Sequence, residues 1–271
     1  MNYIEVNMTD KKFCKLLKKS IENKTPLSMA RFGDGELIPL RRNHPNIADH
    51  VSRHPVYYAG FRKVWGYDEK THIEEGENLL VGILDRALKM SDVIGLMNPN
   101  NEVAKALGQT RYGTQWGLLK SRIKKVNRTK ELLVCDHQIP RGKLIGDLNN
   151  FKNILNGNDL HIISPRTERL KKNDIDKILE CKISYTQAGM ERSKPMRLKC
   201  SRDELFKKID DIEENVVLVA LSVMGKDIPQ YLSARGKICL DFGAVVDAWA
   251  GMIMREWFRE GGLQHHCLIR K

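Results

Sequence analysis

The sequence lacks any run long enough to cross a membrane. Its best apolar stretch, Val216 to Leu221, is broken by Ser222 and stops at Gly225, whereas a span needs ~18 apolar residues. The opening residues MNYIEVNMTDKK include acidic Glu5 and Asp10 and no apolar segment, so neither a secretory signal nor a transit peptide is expected and the expected location is cytoplasmic. Cysteine is sparse and scattered, at 14, 135, 181, 200, 239 and 267, with no CxxC pair. That disfavours a zinc centre or a disulfide framework and leaves free thiols. With 20 Gly and 9 Pro, collagen-like, low-complexity and disordered classes are excluded. Also absent are GxGxxG, a P-loop GKS or GKT, GxSxG and HExxH, which argues against a nicotinamide dehydrogenase, a P-loop NTPase, a common hydrolase and a zincin.

What is present is an ordinary globular composition, 41% hydrophobic and 30% charged over 271 residues. A chain of this length buries roughly 70–75% of its unfolded surface and needs no staple. One bulk property stands out: 46 Lys and Arg against 34 Asp and Glu, a net charge of +12. About 2–8 net charges suffice to keep a small domain soluble, so the excess points to a polyanionic partner.

The spacing predicts an amphipathic helix over Thr9–Asn23, with Phe13, Leu16, Leu17 and Ile21 on one face and Lys11, Lys12, Lys15, Lys18 and Lys19 on the other. Strands are predicted at Leu27–Phe32, Val93–Met97, Leu132–Cys135, His161–Ser164, Ile183–Thr186, Val216–Leu221 and Ile238–Phe242. Helices are predicted at Glu77–Met90, Glu102–Lys120, Asp203–Ile212, around Gln230, and at Val245–Arg259. Strands separated by helix-length segments imply an α/β fold built on a mainly parallel, doubly wound sheet with helices on both faces. Ligands are then expected at the carboxyl ends of the strands. The region 41–76, with four His and several aromatics, is read as an insertion over the cleft.

The first candidate site follows the first strand. Ser28-Met29-Ala30-Arg31-Phe32-Gly33-Asp34-Gly35-Glu36 sets two carboxylates two residues apart between glycines that let the backbone turn. Hard cations such as Mg²⁺ or Mn²⁺ take carboxylate oxygens and keep positions open for phosphate oxygens, and Arg31 can add a bidentate phosphate contact. Taken alone, Asp-Gly also makes an ordinary turn.

This segment resembles the RxGDGE signature of the GT-D glycosyltransferases. Leu240-Asp241-Phe242-Gly243-Ala244-Val245-Val246-Asp247 is similar to that family's late strand, DIG-type turn and acidic residue. Val216–Leu221 with Ser222, Gly225 and Lys226 looks like its glycine-containing strand-to-helix turn. The resemblance implies a Rossmann-like single domain over 1–271, a nucleotide-diphosphate sugar donor, UDP-sugar favoured, and a divalent cation held by Asp34 and Glu36. Ala244 stands where many members have a histidine, so no histidine role is carried over.

Gly225 and Lys226 after an apolar strand can offer backbone N–H groups and a point charge to an anion, although a plain turn with a solvated lysine fits as well. Either Asp241 or Asp247 can orient a donor ribose or deprotonate an acceptor hydroxyl; Asp247 serves equally as the N-terminal charge of the last helix. Asp136, His137 and Arg166 also fall where a cleft would open.

Basic runs at Lys11–Lys19, Lys120–Lys130, Arg166–Lys172 and Arg192–Lys199, and cations interleaved with aromatics at Arg111-Tyr112, Gln115-Trp116 and 61–65, suit a nucleic acid. The expectation is a metal-dependent glycosyltransferase whose acceptor is DNA bearing a 5-hydroxymethylated pyrimidine. Two alternatives stand: an acceptor that is a protein or surface glycan, and a nucleic-acid-binding protein or metal-dependent nuclease.

Overall fold

The computed structural model describes residues 7–33, 70–96, 118–188, 202–252 and Cys267. Seven strands form one sheet: β1 Leu27–Phe32, β2 Val93–Leu96, β3 Leu133–Asp136, β4 Leu160–Ser164, β5 Ile183–Gln187, β6 Val216–Val219 and β7 Ile238–Asp241. Their order is β3-β2-β1-β7-β6-β4-β5 and every pairing is parallel. All seven lie where the sequence places them, with ends displaced by one or two residues.

Parallel strands need crossovers, and covering helices bury both sheet faces. This is why Val216-Val217-Leu218-Val219 is apolar throughout and fully buried. The side chains of β1 and β6 alternate between two apolar layers. Met29, Val216 and Leu218 face the layer containing Phe13, Leu17, Phe151 and Trp249. Ala30 and Phe32 face Leu80, Leu84 and Leu88, and Val217 and Val219 face Leu205 and Ile209.

Helix α1, Asp10–Glu22, starts where Thr9 accepts the backbone N–H of Lys12 through its side chain, a hydroxyl cap. Burial of its Phe13, Leu17 and Ile21 contributes roughly 1.5–3 kcal/mol per side chain. Helix α2, Lys70–Met90, begins seven residues before the predicted start, so 70–76 belong to it while 41–69 lie outside the described residues. Beyond the predicted helices are α3 Lys143–Gly146, α4 Leu148–Leu155, α5 Thr167–Lys172 and α6 Ile175–Leu179. They are followed by α7 Arg202–Asp210, α8 Ile228–Ser233 and α9 Ala244–Trp249. Phe151 of α4, Phe242 and Trp249 of α9 pack ring to ring at 5.2–5.7 Å. The Trp249 indole donates to the Gly146 carbonyl at 3.0 Å. Among the described residues no helix is long and apolar enough to cross a membrane.

Candidate active site

β1 and β7 are neighbours at the middle of the sheet. The crossover from β1 leads to β2 on one side, while β7 arrives from β6 on the other, so the crevice outside their carboxyl ends is where open α/β sheets bind ligands. Three charged side chains meet there. Arg31 is 5% exposed, Lys226 3% and Asp241 3%. The Arg31 guanidinium lies 3.5 Å from Asp241 Oδ1 and its backbone N–H donates to Asp241 Oδ2 at 3.2 Å. The Lys226 ammonium donates to Asp241 Oδ2 as well.

Burial alone would raise the Asp241 carboxyl, but the Lys226 ammonium and the Arg31 guanidinium outweigh it and hold it below the usual carboxylate range. Two buried cations share the Asp241 carboxylate in a low-dielectric setting, where charge acts strongly.

Glycines make the space for Arg31. Gly95, its register partner on β2, would bring a Cβ to 3.0 Å from Arg31 Cγ and 3.2 Å from His137 Cα. Gly243 has φ +48°, and a Cβ there would lie 2.1 Å from the guanidinium. The far end of Arg31 is seated by the His137 carbonyl, which accepts from Nη1 at 3.2 Å, whereas its buried Nε has no hydrogen-bond partner.

Asp136 and His137 therefore do reach the site, with the backbone of His137 as the seat of Arg31. Burial, joined by the charges of Arg141 and Arg31, pushes the His137 imidazole below its ordinary value against the pull of Asp136. The ring is neutral near pH 7.

Gly225 sits where a Cβ would come within 2.8 Å of Leu221 Cβ and Val219 Cγ1, which keeps the turn pressed onto β6. Ser222–Gly225 is a short 3₁₀ turn, with Ser222 in the left-handed region at φ +51°. The chain thus does not enter a helix directly after β6, as the sequence suggested; α8 begins only at Ile228, and Lys226 turns inward to Asp241.

The neighbouring Asp227, which the sequence reading passed over, accepts from Arg86 Nε and Nη2 at 2.9 and 2.8 Å. It also accepts from Arg202 Nη2 at 2.7 and 2.8 Å. Arg202 further donates to the Met224 carbonyl at 2.7 Å. The turn is thereby braced on both sides by carboxylate–cation clusters. Nothing in the local pattern around Asp227 signals this, because its partners lie 141 and 25 residues away.

At the outer edge of the site Arg166 Nε donates to Asp247 Oδ1 at 3.3 Å, joining the ends of β4 and β7. Gly33 is the last described residue after β1; Asp34, Gly35 and Glu36 lie outside the described residues, as do Arg111–Trp116, 192–199 and His265–His266. Among the described residues no group of three or more His, Cys, Asp or Glu is placed to hold a metal. Both oxygens of Asp241 are engaged by cations.

The architecture is that of the GT-D glycosyltransferase fold. The chain belongs to the GT-D-like family: the GT-D fold-like domain matches residues 8–249. Among solved structures it resembles one described as "The highly conserved domain of unknown function 1792 has a distinct glycosyltransferase fold". That likeness has 18% identity and a TM-score of 0.56, over 94% of this chain and 82% of that one. It also resembles "A New Glycosyltransferase (DUF1792) from Streptococcus sanguinis", at 17% identity and a TM-score of 0.53, over 92% and 84%. No curated protein matches the chain.

Proposed function

We propose that the protein transfers a sugar from a nucleotide-diphosphate sugar, a UDP-sugar in first place, to a hydroxyl acceptor with the help of Mg²⁺ or Mn²⁺ held by Asp34 and Glu36. The observation that carries this reading is the buried Arg31–Asp241–Lys226 cluster at the end of the strand from which the GDGE segment departs. When bound, the cation supplies Lewis-acid stabilisation of the departing diphosphate. The chain's own residues do the rest. The acceptor oxygen forms a bond to the anomeric carbon, the bond from that carbon to the diphosphate oxygen breaks, and the nucleoside diphosphate leaves with the electron pair. Arg31 and Lys226, fixed by Asp241, favour the charge that gathers there. Gly33 and Gly35 let the backbone approach the diphosphate, and Ser222 and Gly225 shape the turn that carries Lys226. Asp247, held by Arg166, takes the acceptor proton.

For the acceptor we propose DNA bearing a 5-hydroxymethylated pyrimidine, modified in the cytoplasm; the net charge of +12 supports it. The test is release of free nucleotide from UDP- and GDP-sugars with Mn²⁺, with and without hydroxymethylated DNA, comparing wild type with Asp34→Ala. DNA-stimulated release that is lost in Asp34→Ala is expected. Asp34-dependent release indifferent to DNA would overturn the DNA acceptor and leave a protein or glycan acceptor. Cleavage of plain DNA without any sugar nucleotide would replace the transferase reading with a nuclease.

A further inference from the structure

Helix α1 has no part in the chemistry above, yet its exposed face carries five lysines. Lys11, Lys12, Lys15, Lys18 and Lys19 are all exposed, while Phe13, Leu17, Ser20 and Ile21 are buried. At 100° per residue the five lysines fall within about a third of the helix circumference, and at 1.5 Å rise they span roughly 12 Å of its length. No acidic residue interrupts them between Asp10 and Glu22, and among the described residues none forms an ion pair with any of the five. Lys11 and Lys15, Lys15 and Lys19, Lys12 and Lys15, and Lys15 and Lys18 are like-charge neighbours at spacings that disfavour the helix. A helix shaped for stability or solubility alone would interleave glutamates on this face.

The stripe begins on the reactive side of the sheet. Met8, just ahead of α1, bridges to Cys135 of β3, and a Cβ on Gly142 would lie 3.2 Å from Asp10 Oδ2. Gly142 follows by five residues the His137 whose carbonyl seats Arg31. The amino end of α1 therefore lies toward the carboxyl ends of the strands, beside the edge strand β3. The lysine face has no aromatic or large apolar side chain exposed; among the described residues the large exposed hydrophobics are Leu79, Met90 and Leu144. Interfacial helices hold a bilayer by inserting their apolar face, and here that face is buried in the core. Ammonium groups alone, in two rows, suit an array of phosphates.

We propose that the lysine face of α1 is the docking surface for duplex DNA. This rests on the DNA-acceptor reading for its purpose, though not for its measurement. The contact neutralises phosphates without reading bases, so it holds modified and unmodified duplexes alike and leaves selection of the base to the cleft.

The test is fluorescence-anisotropy titration of a labelled duplex, with and without hydroxymethylated bases, over a series of salt concentrations. Wild type is compared with the triple variant Lys11→Gln, Lys15→Gln, Lys18→Gln, whose folding is checked by circular dichroism. Five neutralised phosphates give a slope of log K against log salt near −4.5, and removing three lysines makes it about 2.7 shallower. That change, equal for both duplexes, is the expected result. An unchanged slope would overturn the proposal. Equally fatal would be lysine-dependent binding to anionic phosphatidylglycerol vesicles with no binding of the duplex, which would make the face a membrane contact. If the lysines govern duplex binding but DNA does not stimulate nucleotide release, the docking surface stands and the DNA-acceptor reading fails.

Discussion

Two levels of the same sheet hold buried polar side chains, and they are built differently. Near the amino ends Ser28, His161 and Ser184 lie at one level, linked through Cys239 and Val217 by strand register. Each is closed into a small circuit. Ser28 donates to Asp92 through both its N–H and hydroxyl, at 2.8 and 2.6 Å, and Asp92 is also held by Lys130 at 2.6 Å. His161 joins Thr186 at 2.8 Å, Glu214 at 3.3 Å and Ser184. Two to three residues further along, at the carboxyl ends, Arg31 and Asp241 meet, and Lys226 joins them from the turn after β6. One guanidinium nitrogen there has no partner, and two glycines are needed to admit the arginine. The amino-end circuits are complete and require nothing from a ligand. The carboxyl-end cluster leaves the buried Arg31 Nε without a hydrogen-bond partner and stands where strands give way to loops, which is the arrangement expected of a site rather than of a scaffold.

That contrast can be broken by substitution. The largest effect should come from Asp241→Asn, which removes the carboxylate shared by two buried cations; breaking a buried pair costs roughly 3–5 kcal/mol, to be read by urea unfolding. A loss below about 1 kcal/mol would mean that solvent or an anion already compensates the cluster. Gly243→Ala comes next. It forces a side chain into the guanidinium at a positive φ and should cost about 1–3 kcal/mol. It should also lower nucleotide release even at temperatures where the variant is fully folded.

The pH dependence separates the two levels as well. Burial pushes His161 below its ordinary value of 6.5, so the unfolded chain binds the proton first. Stability therefore falls as pH drops below about 6.5. His161→Gln should remove the amino-end share of that loss and leave the share of His137, whose imidazole is depressed too. Asp241 has a depressed carboxyl, and its contribution is fully present above its ordinary value of 3.8 and disappears only as pH falls below it. Unfolding free energies followed from pH 8 to pH 3 check both steps. The smallest effect belongs to Ser28→Ala, which removes the hydroxyl that donates to the Asp92 carboxylate and accepts from the Asp92 N–H, keeps the backbone bond to that carboxylate, and should cost about 1 kcal/mol while leaving KM and kcat unchanged. A change in KM there would end the division between scaffold and site.

How much of this could be read from the residues depends on range. Strands surrounded by apolar layers announce themselves, as Val216–Val219 does. The overshoot to Leu221 arises because Ala220 and Leu221 remain buried after leaving the sheet. α1 is legible because its cap, its apolar stripe and its lysines all lie within one short segment. The helices α3 to α6 went unseen, being four to eight residues long with little room for periodicity.

In the candidate site, the members could be named one by one from strand ends and turns, but their partnership could not. Arg31 and Asp241 are 210 residues apart. The sequence reads Arg31 and Lys226 as phosphate ligands facing outward, whereas the fold engages both with Asp241. Asp227, with its two arginines, was invisible for the same reason.

The position of β7 has a kinetic consequence. β1, β2 and β3 pair with one another in one half of the sheet, and β4, β5 and β6 pair in the other, but the strand that joins the halves is the seventh of seven. Each half can form from nearby segments, while their union waits for long-range closure, the slow part of assembling a parallel sheet. Arg31 stands on one side of that seam and Asp241 on the other. The two halves, however well formed, have no site between them until the last strand enters, so the charge cluster reports completion of folding.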